Sequence, residues 1–546
     1  DRPMIMLHER TRLPTGIRVT TFWTMVSRVL GMVRDIATAA LFGLVGGGAI
    51  DAFVIAFRIP NFFRRLFGEG ALAGSYLPVL TETLEQSRGA AWQLVSVLLG
   101  WLTIVLSAVV LLSELFCAVV WAYTDNDPQL QLIAGLSAIM LPYLLFVCLA
   151  AQISATLHAL NHFSTPAVAP ILLNVCWITA AVWIAPGWSE NPAQQAYVLA
   201  GAVLAGGLLQ FGMQFPVLRQ FGFRFDFQWK ATRQAVRRVT TGLFPTLLGL
   251  AIAQINTLVD TFVGWMFSAP AAETAIPWLG DSLMYPLREG VIAAIYFSER
   301  IYQLPIGLLG VAVGTVIFPA LSRHAFRGNQ TEFGNTLTLG LRVTLFLAIP
   351  ASVGLILLGQ PLTVLLFRHG EFTAADALRT AEMVIAYGSG VWAYCALPIL
   401  ARGFYAYGDR HTPWRLGGYI VLLNFLLDLA LIWIFAEVGL ALASALVAGL
   451  LVILLGSTFS RRIAPLHWQT IKATVVRSSF AALCMFVAGW AILQALPRAE
   501  IDGLWQECLR VMVPLFCCVI VYWIVSSATG GTEWRLLAGR EQDKRT

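Results

Sequence analysis

The chain has 546 residues, 58% of them hydrophobic and only 12% charged, with a mean hydropathy of +0.74 and a formal net charge of +6. Those values exclude an ordinary soluble globular domain, in which about 25% of residues are charged, and describe an all-α polytopic membrane protein. The eight cysteines stand singly or as the Cys517-Cys518 pair, mostly inside apolar runs, which excludes both a disulfide framework and a zinc-ligand spacing.

Apolar segments of about 20 residues can each cross the hydrocarbon core as a helix. Fourteen are predicted, over 22–44, 50–82, 92–122, 130–157, 166–186, 194–218, 238–266, 290–322, 334–358, 374–407, 413–435, 438–460, 473–495 and 508–528. The first is expected to act as its own membrane-targeting signal. The second is too long for one straight crossing and contains Pro60 and Gly68-Glu69-Gly70, so a break is expected there. Segments that would face the cytoplasm hold 21 Lys and Arg, against Arg288, Arg368 and Arg498 outside, which places both termini in the cytoplasm. Between spans 6 and 7, FGFRFDFQWKATRQAVRR alternates aromatic and basic residues. It reads as an amphipathic segment on the inner leaflet, with anchoring rather than nucleic-acid binding as its use. The stretch from Ser268 to Glu289, with Glu273, Asp281, Arg288 and Glu289, is expected to form a periplasmic helix or lid.

The most informative stretch runs from Ser27 to Pro78, where Arg28, Arg34, Asp35, Asp51, Arg58, Arg64, Arg65 and Glu69 fall within apolar segments. A charge at a helix centre in a bilayer costs roughly 2.5–3.5 kcal/mol, so these residues should line a wet interior or pair with one another. Asp51, Arg58 and Arg65 recur every seven residues, as do Ser27 with Arg34 and Arg28 with Asp35, so each helix carries one polar stripe. A basic cavity, a set of structural ion pairs and snorkelling near helix ends all fit this pattern.

The chain also repeats itself. Asn161-His162-Phe163-Ser164-Thr165-Pro166, followed by Asn174, resembles Gly408-Asp409-Arg410-His411-Thr412-Pro413, followed by Asn424. Gly74-Ser75-Tyr76-Leu77-Pro78 echoes Gly314-Thr315-Val316-Ile317-Phe318-Pro319. The economical architecture is two six-helix lobes: an N-lobe over 20–220, a cytoplasmic amphipathic linker over 221–237 and a C-lobe over 238–462. Two extra helices over 463–530 and a cytoplasmic tail over 531–546 complete it. Parallel repeats of this kind are a transporter habit.

The stretches SRVLGMVRD, DAFVIAFRIPNFFRRLFGEGALAGSYLPVL, LNHFSTPAVAPILLN, QLPIGLLGVAVGTVIFPALS and GEFTAADALRTAEMVIAY closely resemble the MurJ (MviN) family. These are bacterial lipid II flippases of the multidrug/oligosaccharidyl-lipid/polysaccharide exporter superfamily, and the resemblance covers nearly the whole chain. It implies a MATE-like fold of two lobes around a central cavity, with a groove for the lipid tail near spans 13 and 14. It implies alternating access that carries lipid II, an undecaprenyl-diphosphate-linked disaccharide-pentapeptide, from the inner to the outer leaflet of the bacterial cytoplasmic membrane. Carried over by motif, the substrate-binding residues would be Ser27, Arg28, Arg34, Asp51, Arg64, Arg65, Glu299 and Arg300. Guanidinium groups make forked, charge-assisted bonds to phosphate oxygens, which suits a diphosphate.

Asp260, Asn424, Asp428 and Ser444 are hard oxygen ligands in otherwise apolar segments. Some family members resemble this with a sodium site, to which a backbone carbonyl near Leu440 would contribute. A protonated carboxylate pair hydrogen-bonded to Asn424 is the alternative, so the coupling ion would be Na⁺ or H⁺. No nucleophile, metal cluster or phosphate-binding Gly loop points to an enzyme. Membrane lipids are the only other partners expected, and a monomer is the expected state. An exporter of another polyprenyl-diphosphate-linked glycan is the nearest rival. A MATE-type drug/cation antiporter is a further one, though it would call for an acidic or aromatic cavity.

Overall fold

The computed structural model describes residues 2–67, 72–124, 127–269, 275–276, 283–496, 503–531 and 533. Side chains are described from Thr20 onward, except at 72–73, 244–246, 248–250, 252–253, 311–312 and 315. The architecture is helical, with two isolated β-bridges and no strand among the described residues. The chain divides into two compact units, Asp1–Gln254 and Ile255–Thr546.

In the first unit, α1 (Arg2–Phe42), α2 (Ala49–Leu66), α3 (Leu72–Gln86), α4 (Arg88–Tyr123) and α5 (Pro128–Ala159) are followed by α6 (Ser164–Thr179). A π-helical turn, Ala180–Ile184, then leads through α7 (Ala185–Trp188) and α8 (Pro192–Gln220) to α9 (Trp229–Met266). Short polar caps set the starts. Ser87 accepts from the Ala90 N–H, Asp127 from those of Gln129 and Leu130, and Asn191 from that of Ala193. Proline follows Asp127 and Asn191 directly, at the first helical position, where no N–H is needed. Helix α5 is the central element, packed against α2, α4 and α8, while α6 lies against α1 and α8. Small residues permit these approaches, as expected where lipid removes the hydrophobic drive between helices. A Cβ on Gly207 would enter the Tyr143 ring, and one on Gly206 would lie 2.9 Å from the Leu173 Cα.

Between α1 and α2, Gly46, Gly47 and Gly48 take φ of +44°, +59° and +77°, a left-handed run open only to glycine. The chain turns there through 107°. Helix α2 runs through Pro60 without ending, so the break expected at that proline does not occur. The helix stops instead at Leu66, and α3 begins at Leu72; Gly68, Glu69 and Gly70 lie outside the described residues.

The second unit contains the end of α9, then α10 (Val291–Pro305), a π-helical turn (Ile306–Gly310), α11 (Val311–Phe326), α12 (Gln330–Phe367) and α13 (Ala374–Gly388). It continues with α14 (Val391–Tyr407), α15 (His411–Phe435), α16 (Glu437–Arg462), α17 (Trp468–Ala495) and α18 (Leu504–Ala528). The stretch 374–407, expected as one span, is two helices bent by 44°. Ser352 of α12 supplies the reason, since its Oγ accepts the Trp392 N–H at 2.9 Å and satisfies the new helix start from the side. Helices α17 and α18 dock on α12 through Phe346, Leu357, Ala481, Met485, Cys518 and Tyr522, and the Tyr522 hydroxyl donates to the Phe346 carbonyl at 2.6 Å. The expected periplasmic helix over 268–289 is not found in its described part. Ser268 bridges to Leu287 and Ala275 to Met284, while Glu273 and Asp281 lie outside the described residues.

Every one of the fourteen expected segments coincides with a helix or a pair of consecutive helices. Among the described residues, nine helices are long and apolar enough to cross a membrane, and bent pairs bring the number to at most eleven. Their outward faces carry exposed Leu, Phe, Trp and Ile, as on α4 (Leu111, Leu112, Phe116) and α18 (Phe516, Trp523), which fits contact with lipid.

The repeat seen in the sequence is also a repeat in backbone. Asn161 ends the α5 region at φ +57° and Gly408 ends α14 at φ +93°. At each, the next N–H reaches back to a carbonyl in the last turn, His162 to Leu157 at 2.9 Å and Asp409 to Phe404 at 3.0 Å. Both ends are the same left-handed helix stop, and asparagine and glycine are the residues that tolerate it.

Candidate functional site

In the first unit, Arg34 of α1 is fixed from three sides. Its Nε and Nη2 donate to Asp35 Oδ1 at 2.9 and 2.7 Å, its Nη1 donates to Asn174 Oδ1 of α6 at 3.2 Å, and its guanidinium lies 4.6 Å from the Trp177 ring centroid. Trp177 is itself locked. Its Nε1 donates to Thr38 Oγ1 at 3.0 Å, Thr38 donates to the Arg34 carbonyl at 2.8 Å, and the edges of Phe53 and Phe57 pack on it. The other end of the Asn174 amide donates to the Ser27 carbonyl at 3.0 Å. One residue thus holds both members of the Ser27/Arg34 stripe. A guanidinium pinned in this way loses little freedom when it binds an anion.

Asp51 and Arg58 are buried on α2, and Arg64 and Arg65 are half-buried at its end. Asp51 sits in the first turn of α2, where the helix dipole favours an anion. Arg64 Nε donates to Asn61 Oδ1 at 3.0 Å, and Arg65 Nη1 to Gln254 Oε1 of α9 at 3.2 Å. Tyr143 of α5 is fully buried, and its hydroxyl makes no hydrogen bond among the described residues. The structure therefore joins Ser27 and Arg34 through Asn174 of α6. Arg28, two turns from buried Asp35, is exposed instead.

Glu299 and Arg300 lie on α10 in the second unit, Glu299 buried and Arg300 half-buried with its guanidinium 4.3 Å from the Tyr296 ring centroid.

The second unit also assembles the four oxygen-bearing residues. Asn424 Nδ2 donates to Asp260 Oδ1 at 2.7 Å and to Asp428 Oδ2 at 2.9 Å, and Ser444 Oγ donates to Asp260 Oδ2 at 2.9 Å. All four are buried, on α9, α15 and α16. Asn256, one turn before Asp260, donates to Ser444 at 3.4 Å and belongs to the same group. Leu440 is buried on α16, one turn before Ser444. Asp428 Oδ1 is a buried carboxylate oxygen with no hydrogen-bond partner among the described residues. Two carboxylates bridged by one amide in a dry interior need a proton or a cation to offset their charge. Carboxylate, amide and hydroxyl oxygens are the donors a hard cation takes, and the residues fit one if the Asn424 amide turns its oxygen inward.

An apolar cavity of about 420 Å³ lies between α12, α14, α16 and α17, lined by Leu345, Ile349, Trp392, Ile453 and Val475 among others. It adjoins the first of the two C-terminal helices.

Sequence reasoning missed Tyr143, Trp177 and Asn256, and it noted Asn174 only as part of a repeat. Trp177 and Asn256 carried a usable signal, each falling one turn from a polar residue already singled out. Tyr143 carried none, because an aromatic residue in an apolar helix reads as core.

Residues 38–507 match the family described as lipid II flippase MurJ. The probable lipid II flippase MurJ of Vibrio cholerae serotype O1 is 34% identical over 453 residues, covering 80% of each chain. The lipid II flippase MurJ of Burkholderia cenocepacia is 31% identical over 515 residues, 90% of this chain and 94% of its own. Among solved structures, a lipid II flippase MurJ in an inward closed conformation superposes with a TM-score of 0.71 at 25% identity, over 93% of this chain and 98% of that one. An inward-facing multidrug resistance MATE transporter of the MOP superfamily superposes at 0.60 and 10% identity, over 84% of this chain and 98% of that one, which shows the shared fold.

Proposed function

The chain belongs to the lipid II flippase MurJ family, and from that membership we propose that it moves lipid II from the inner to the outer leaflet of the bacterial cytoplasmic membrane. The family is one of transporters and not of enzymes. The fixed guanidinium of Arg34 carries the reading at the level of residues, because a diphosphate is what a preorganised, partly buried arginine binds best. Arg64 and Arg65 add charge in the same unit, and Arg28 is assigned to the same anion. A drug/cation antiporter would need the opposite sign. The buried Asp35 carboxylate is ion-paired with Arg34.

In this reading all fourteen helical segments cross the bilayer, with both termini in the cytoplasm, and the protein works as a monomer by alternating access. The apolar cavity beside α17 takes part of the polyprenyl tail. Lipid II is anionic, so an inside-negative potential favours its outward passage by about 2.3 kcal/mol per charge per 100 mV. The Asp260, Asn424, Asp428 and Ser444 group, with the Leu440 carbonyl, binds Na⁺ or a proton to reset the empty carrier. It does so by favouring one conformation, since a ligand shifts an equilibrium only by its differential affinity.

The test is depletion of the protein in a bacterial host, followed by measurement of lipid II on each face of the membrane. Accumulation in the inner leaflet is expected. Unchanged lipid II exposure at the outer surface, with normal cell-wall synthesis, would overturn the proposal.

A further inference from the structure

A cavity of about 910 Å³ opens on the first unit between α4 and the first turns of α9, away from the Arg34 site. Its floor is apolar, with Leu98, Leu102 and Val105 of α4 facing Val236, Val239 and Leu243 of α9. Its rim is basic. Lys230, Arg233 and Arg237 recur at i, i+3 and i+7 along one exposed face of α9, and among the described residues no carboxylate lines the cavity. The adjacent Arg238 is occupied elsewhere, gripped by both oxygens of Glu82 at 3.1 and 2.7 Å.

The linker is tied to α4 beside the groove. Phe223 is buried with its ring 5.7 Å from that of Trp92, the Asp226 N–H donates to Ser96 Oγ at 3.0 Å, and Gln93 donates to the Asp226 carboxylate at 2.8 Å. At the mouth, Trp229 and Trp101 pair at 5.6 Å, the kind of aromatic that settles at headgroup level. Deeper in, Gln152 and Tyr76 line the cavity and are both buried. The cavity therefore presents cations outside and apolar walls within. Its volume is that of a small-molecule site, about 300–1,000 Å³.

We infer that this cavity binds one anionic diacyl phospholipid of the inner leaflet, its phosphate on Lys230, Arg233 and Arg237 and one acyl chain in the groove between α4 and α9. Three cations with no acid among them would repel one another if left without an anion, and a chain-sized apolar groove beneath them would stand open to water or lipid. A single lipid satisfies both needs. The inference does not depend on the transport reading, since none of these residues belongs to the diphosphate or cation groups.

The experiment is thermal unfolding of the purified full chain in a neutral detergent, titrated separately with phosphatidylglycerol, phosphatidylcholine and inorganic phosphate. Phosphatidylglycerol is expected to raise Tm saturably by several degrees, and the other two to leave it unchanged. The exposed triple variant K230Q/R233Q/R237Q should lose the shift while still binding lipid II. Leu102→Trp, which fills the groove, should weaken half-saturation at least tenfold. An equal response to phosphatidylcholine, a full response to inorganic phosphate, or an undiminished response in the triple variant would each overturn the inference. So would a wild-type response in Leu102→Trp, since surface charge alone would then account for the binding.

Discussion

Asn174 and Asn424 hold opposite charges from similar places: Asn174 accepts from the Arg34 guanidinium at 3.2 Å, and Asn424 donates to the Asp260 carboxylate at 2.7 Å. Each lies on the helix that follows one of the two matching left-handed stops, Asn424 about one turn further along than Asn174. An amide can serve both, because it carries an acceptor and a donor on one planar group. In the proposed reading, one repeat holds the candidate anion site and the other the candidate cation site around the same side chain.

Arg34→Ala should abolish transport while leaving the protein in the membrane, and Asn174→Ala should reduce transport about tenfold by freeing the guanidinium. A hydrogen bond to a charged group is worth about 1.5–3 kcal/mol. Arg34→Lys should rescue only in part, since an ammonium cannot make the forked contact. Complementation of a flippase-depleted strain, with lipid II assayed at the outer face, checks this. Full complementation by Arg34→Ala would remove the arginine from the mechanism.

Asp260→Asn and Asp428→Asn should slow turnover without weakening lipid II binding, and each should erase any rise in wild-type Tm produced by Na⁺. Asp428 Oδ1, buried and without a hydrogen bond among the described residues, is the oxygen a bound cation would engage. Thermal unfolding in Na⁺ against K⁺, at several pH values, is the measurement. Indifference of the wild type to Na⁺ at every pH would leave a proton as the ion.

Asp409 starts the turn before α15, accepting the N–H groups of His411 and Thr412 at 3.0 Å each and the Thr412 hydroxyl at 2.6 Å. Partial burial opposes its ionisation, but these hydrogen bonds outweigh that and hold its carboxyl below the usual range. A depressed folded-state value stabilises the protein above the unfolded-state value of about 3.9, and that contribution fades as pH falls through the folded one. Asp409→Ala should therefore cost about 1 kcal/mol at pH 7. The gap to wild type in thermal unfolding should narrow toward pH 3.

Ala436 joins α15 to α16 at φ +49° and ψ −131°, a conformation natural only to glycine. Its neighbour Glu437 is gripped by Arg379 of α13, which holds the turn in place. Ala436→Gly should stabilise the protein by about 1 kcal/mol, the relief of about 1–3 kcal/mol of strain less the entropy cost of glycine. A fall in Tm on this substitution would show that the turn is not strained.

The sequence by itself determined the membrane class, the fourteen helical segments, the interruption after the second segment's first helix and the repeat. Each of these is local, written in runs of apolar residues, in helix stops such as Asn161 and Gly408, and in caps such as Asp127 and Thr373. It also determined which residues are polar where they should not be. It did not decide which of them meet. Arg28 and Asp35 share one stripe by their spacing of seven, yet Asp35 is buried and Arg28 exposed, because seven residues fall about 20° short of two turns and the surroundings of α1 change along its length. Likewise, Arg34 finds Asn174 across 140 positions, and Asn424 finds Asp260 across 164. Helical periodicity fixes the face a side chain occupies, but only the packing of one helix on another decides what stands opposite it.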